Sequence, residues 1–91
     1  MNVEHDEAGN RFVVRADGGE GELTYRRQGD GSLNLVHTGV DDALEGKGVA
    51  SALVRGAFDY AREHGLKVVP SCSYVRAWVD RHPDESDVVQ R

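Results

Sequence analysis

The chain has 91 residues, a formal charge of −5 and one cysteine, with 38% of its residues hydrophobic. That length builds one small core and excludes a multidomain protein, while the acidic balance excludes a general electrostatic footprint for nucleic acid. A lone cysteine excludes an internal disulfide, and with no signal peptide or membrane-spanning run the expected setting is cytoplasmic, without membrane or nucleic-acid partners.

Residues 1–10 are polar and aperiodic and read as a lead-in. Arg11 to Ala16 reads as the first strand, with Phe12, Val14 and Ala16 alternating against Arg11, Val13 and Arg15. A glycine-rich break follows, and Glu22 to Arg27 alternates again with Leu23 and Tyr25 on one face. Gln28-Gly29-Asp30-Gly31 makes the next turn before a third strand, Ser32 to Val40. Short turns on both sides favour an antiparallel meander. The period then changes. Val49, Leu53, Ala57, Tyr60 and Ala61 recur at helical spacing, and Gly65 stops that helix. Leu66 to Val69 reads as a fourth strand, placed parallel to the third by a right-handed crossover. A second helix is expected from Tyr74 to about Arg81, capped by Ser71 or Ser73 and ended by His82-Pro83, with a polar tail from Asp84 to Arg91. The expectation is an α/β domain with a mostly antiparallel four-stranded sheet and two main helices.

Chemistry concentrates in two places. Glu45-Gly46-Lys47-Gly48-Val49-Ala50-Ser51 lies between the third strand and the first helix. Two glycines there allow a sharp turn and a close backbone approach, and the helix's first N–H groups remain free to bind an anion. A plain turn would use the same glycines. A Walker-type loop is excluded, because Lys47 precedes Gly48 rather than following the last glycine before Ser or Thr. A pyrophosphate-sized anion held by backbone N–H groups survives, with Lys47 adding a point charge. The second place is Cys72, where a strand gives way to a helix. A thiol at a helix N-terminus is more acidic than a free one, although a lone cysteine also serves as an inert small hydrophobe. Together the two places suggest an acyl-CoA site. The histidines are scattered without metal-ligand spacing, so no metal site is expected. His37 would share the face of Leu33 and Leu35 if the third strand alternates strictly, unless a bulge re-aims it, and is a candidate base or a packed strand histidine. Tyr74 and Trp78 read as core residues, with a polar role open to the Tyr74 hydroxyl.

Val36-His37-Thr38, the glycine loop, Leu53-Val54, Tyr60-Ala61, Leu66 to Pro70, Cys72 to Val75 and His82-Pro83, in this order and spacing, resemble the minimal GNAT-type N-acetyltransferases, the YjdJ-like single-domain group. The resemblance covers about residues 11–83 and implies a minimal GNAT fold with a splayed parallel strand pair. It implies one acetyl-CoA-binding domain spanning residues 1–91, with that core. The superfamily's Gln/Arg-x-x-Gly-x-Gly/Ala motif falls on Glu45, Gly48 and Ala50, and Glu45 departs from it. The resemblance further implies that backbone groups from His37 to Val40, including Thr38 and Val40, hold the pantetheine arm, and that the CoA thioester lies near Cys72. The activity implied is acetyl transfer from acetyl-CoA to an amine acceptor, directly or through Cys72. A non-enzymatic acyl-CoA-binding or sensing module would use the same cradle, and a plain interaction domain would need the loop only as a turn.

Overall fold

Apolar–polar alternation organises the first half of the chain into hairpins, and in the computed structural model, which describes residues 1–90, these make one continuous sheet. Its strands are β1 (Glu4–Asp6), β2 (Arg11–Ala16), β3 (Gly19–Arg27), β4 (Leu33–Val40) and β5 (Val68–Pro70), lying in that order across the sheet. The first four are antiparallel neighbours, and β5 pairs parallel to β4.

Among the described residues there are five strands rather than four, because residues 1–10 are not a bare lead-in. Every residue of β1 is polar, so no apolar period advertises it. Glu4 and Asp6 turn outward and accept from Arg15 Nη1 at 2.9 Å and Arg11 Nε at 3.0 Å. His5 turns inward, stacks on Phe12 with ring centres 4.2 Å apart and meets the Tyr25 hydroxyl at 2.6 Å. Arg11 also reaches Glu22 at 2.7 Å, so charged side chains interlock across the outer face. Val13 points to that face and is nonetheless completely buried, outside the main core, between Glu4 and Glu22 on the neighbouring strands. The aliphatic stems of such side chains shield apolar surface while their charges stay in water.

A bulge interrupts β4. Tyr25 pairs with Leu35 and Thr24 with His37, so Val36 has no partner on β3. One extra residue reverses which face the following side chains take. Leu33 and Leu35 are buried in the core, but beyond the bulge Thr38, opposite the buried Leu23, takes the inner face, and His37 is exposed on the outer one. Strict alternation, which put His37 with the two leucines, therefore fails at Val36.

The helices are α1 (Val49–Glu63) and α2 (Ser73–Arg81). Val49, Leu53, Val54, Ala57, Phe58 and Ala61 form the buried stripe of α1. Gly65 at φ +67° ends the helix, with the Leu66 N–H returning to the Ala61 carbonyl at 2.8 Å. From α2, Val75 and Trp78 enter the same core, where Trp78 meets Phe58 edge-on at 5.1 Å. Cys72, not a serine, is the N-cap of α2, since the Ser71 hydroxyl is spent on Asn34. The segment read as a polar tail is also structured. Pro83–Val88 forms a 3-10 helix, Val88 is buried and Val89 bridges to Val68. Arg62 secures it by gripping Asp87 at 2.8 Å and Glu85 at 3.1 Å. Arg91, the end of that expected tail, lies outside the described residues.

Candidate active site

The parallel pairing of β4 and β5 covers only Leu33 with Val68, Asn34 with Val69 and Leu35 with Pro70. A last link, the Cys72 N–H to the Leu35 carbonyl at 2.9 Å, closes the ladder. β4 then runs on to Val40 while the other chain turns into α2, so the two splay apart. Among the described residues the β4 edge from Val36 to Val40 that faces away from β3 has no strand partner, and an open edge of this kind offers its N–H and C=O groups to an extended ligand.

The glycine loop stands beside that edge. After a 3-10 helix at Asp42–Leu44 the chain passes through Gly46 at φ +78° and Gly48 at φ +77°, and Gly48 is the N-cap of α1. Among the described residues no side chain caps α1, and its first intrahelical bond is donated by Ala52 to the Gly48 carbonyl. The N–H groups of Val49, Ala50 and Ser51 thus have no partner within the helix, as required for an anion cradle. A Cβ on Gly46 or Gly48 would project into open space. Beside the loop lies a cleft of about 400 Å³. The sequence-predicted Val40, Glu45, Gly46, Gly48, Val49, Ala50 and Ser51 line it together, with Leu44 and Tyr74. Lys47 is exposed and lies outside this lining, as do Thr38 and Cys72. The Ser51 hydroxyl is already committed to Trp78 Nε1 at 2.9 Å, which leaves its backbone N–H for a ligand. Leu44 escaped sequence reasoning because a single apolar residue in a loop has no period. Its near-complete burial in so polar a loop is a structural signal only.

Cys72 is half-buried at the start of α2, and its sulfur lies 3.6 Å from the Thr38 hydroxyl across the splay. Desolvation is the largest single influence and opposes ionisation. Against it act the Val75 N–H, the Thr38 hydroxyl and the N–H groups of Tyr74 and Thr38, and together they pull the thiol below its ordinary pKa. His37, the other catalytic candidate, does not join this group, because the bulge that points Thr38 inward turns its neighbour to the outer face. Among the described residues, no three His, Cys, Asp or Glu side chains are grouped so as to hold a metal ion, and no helix is long and apolar enough to cross a membrane.

An antiparallel meander that ends in a splayed parallel pair, with the open strand edge facing a glycine-capped helix, defines an N-acyltransferase fold of the GNAT type. The chain belongs to the GCN5-related N-acetyl-transferase family, a family of enzymes, whose model matches residues 11–88. It is 35% identical over 85 residues to Protein NATD1 of Xenopus tropicalis, covering 91% of this chain and 78% of that one. Protein NATD1 of Homo sapiens is likewise 35% identical, with 91% of this chain and 75% of the relative covered. The NMR structure of a GCN5-like protein from Staphylococcus aureus superimposes with a TM-score of 0.76 at 32% identity, over 98% of this chain and 87% of the other.

Proposed function

We propose that this chain is a single-domain enzyme, its core spanning about residues 11–83, that transfers the acetyl group of acetyl-CoA to an amine through Cys72. The observation that carries this reading is the meeting, around one splay, of the open β4 edge, the uncapped start of α1 and a half-buried thiol of lowered pKa. In this scheme the backbone N–H groups from Gly48 to Ser51 receive the pyrophosphate, and Lys47 adds charge from the rim. Residues 38–40 pair with the pantetheine arm as a further strand would.

The Cys72 thiolate attacks the acetyl carbonyl carbon, a new S–C bond forms, and the C–S bond to CoA breaks. CoA leaves as its thiolate and takes a proton from solvent. The amine then attacks the acetyl-cysteine, loses a proton to solvent, and the Cys72 thiolate is regenerated. The scheme assigns stabilisation of the developing oxyanion to a backbone N–H of β4. The scheme needs Cys72 reduced, which suits a cytoplasmic setting.

Thermal denaturation with acetyl-CoA and intact-mass analysis test the two halves separately. Ligand at a hundredfold excess over its Kd adds about 2.7 kcal/mol of stability. An unchanged melting temperature at millimolar acetyl-CoA refutes the binding site. Binding without acetyl-Cys72, and without acetylation of any amine tried, makes the chain a non-enzymatic acyl-CoA module, which would use the same cradle.

A further inference from the structure

We infer that Thr38 is a positioning residue for Cys72: its hydroxyl, carried inward by the β4 bulge, lies against the sulfur beside the open strand edge and can donate to it once the thiol ionises. The inference deepens the reading of Cys72 as the acetyl-accepting thiol and rests on that reading for its meaning in turnover.

The geometry has two fixed ends. On the α2 side, the Cys72 backbone is tied to β4 through its N–H and the Leu35 carbonyl at 2.9 Å. On the β4 side, Thr38 is held opposite Leu23 in the ladder, and its hydroxyl oxygen lies 3.6 Å from the sulfur. Three residues after the last backbone link, this is the side-chain contact that spans the splay. In the neutral pair either group can donate, but a thiolate has no proton, so after ionisation the threonine must. Valine is nearly isosteric with threonine and equally stiff at χ1, and it cannot donate.

The other groups around the sulfur are the backbone N–H groups of Thr38, Tyr74 and Val75. The Arg76 guanidinium is engaged with the Pro70 and Ser71 carbonyls, Tyr74 and Glu45 line the neighbouring cleft, and His37 faces the opposite side of the sheet. A neutral donor on the inner face is therefore the side chain with most leverage on the charge state of Cys72. Sequence spacing conceals the relation, since 34 residues separate the two and strict alternation puts Thr38 on the wrong face.

The test is the pH dependence of iodoacetamide alkylation, read by intact mass because Cys72 is the single cysteine. Thr38→Val should move the alkylation midpoint up by about one pH unit, roughly a tenfold loss of thiolate at pH values below both midpoints. Thr38→Ser should restore the midpoint. An unmoved midpoint in Thr38→Val, or a serine variant displaced as far as the valine one, overturns the inference. If Thr38→Val melts early, Thr38→Ala makes the same comparison against serine. No acetyl-CoA is present, so a failure here is distinct from a failure of acetyl transfer, which the mass of acetyl-CoA-treated wild-type protein reports.

Discussion

Replacing Gly48 and Gly65 by alanine, one at a time, separates backbone strain from ligand access. Both glycines have left-handed φ, +77° and +67°, and at both a Cβ would meet no atom within 4 Å. Steric clash is therefore absent, and the cost to folding is the conformational one, about 1–2 kcal/mol for an L-residue in this region. In a domain of this size about 1 kcal/mol lowers the melting temperature by roughly 4–8 °C, so both variants should melt lower by similar amounts. Their positions differ in one respect. Gly48 lines the 400 Å³ cleft at the start of α1, whereas Gly65 closes the far end of the same helix. If the proposed cradle receives the pyrophosphate, a methyl group on this lining residue hinders its close approach to the N–H groups, and acetyl-CoA affinity should fall at least tenfold, about 1.4 kcal/mol or more. Gly65→Ala should bind as the wild type does. Isothermal calorimetry on both variants, below their melting temperatures, reads the difference. Wild-type affinity in Gly48→Ala, or an equal loss in Gly65→Ala, would refute the placement of the cradle.

Three further outcomes are expected. Cys72→Ser should keep its fold and its affinity for acetyl-CoA but take up no acetyl group and turn over far more slowly, because an alkoxide forms much less readily than a thiolate; full activity would leave direct attack by the amine as the mechanism. Ser51→Ala strands the buried Trp78 N–H and should cost about 1–3 kcal/mol in urea denaturation, with a loss below a few tenths counting against that bond. Asp30 accepts from the Ser32 hydroxyl, the Ser32 N–H and Gln90, which bring its carboxyl down to about 2. A depressed folded-state value stabilises the protein above the ordinary carboxylate range, and that contribution is lost as pH falls towards 2. The stability gap between wild type and Asp30→Asn should accordingly narrow across that window, and a gap independent of pH would contradict it.

Where side-chain period and burial coincide, the sequence was readable. β3 and the buried stripe of α1 follow their apolar residues closely, β2 was legible in its bounds though not in the burial of Val13, and Gly48 and Gly65 mark both ends of the helix because only glycine adopts φ near +70° easily. β1 and Pro83–Val88 were hidden for the opposite reason. Each is held by partners outside itself, Arg11 and Phe12 of the next strand for one and the more distant Arg62 and Val68 for the other, and neither contains an apolar rhythm of its own. At the site, the glycine loop was legible as a local motif, and Cys72 by its position between strand and helix. The partner of Cys72 was not, since a bulge at Val36 is a property of pairing with β3 and leaves no mark in the composition of β4.

Trp78 gives the molecule an optical property of its own. It is the single tryptophan, it is fully buried, and its indole N–H ends on the hydroxyl of Ser51 in the first turn of α1. Its ring also lies against His82, with centres 4.1 Å apart, and beneath the Arg55 guanidinium at 5.3 Å. All of the chain's indole fluorescence thus comes from one chromophore in a dry environment, wired to the helix end that lines the cleft. Any change of emission on filling the cleft would therefore originate at that junction, with no label needed to look for it.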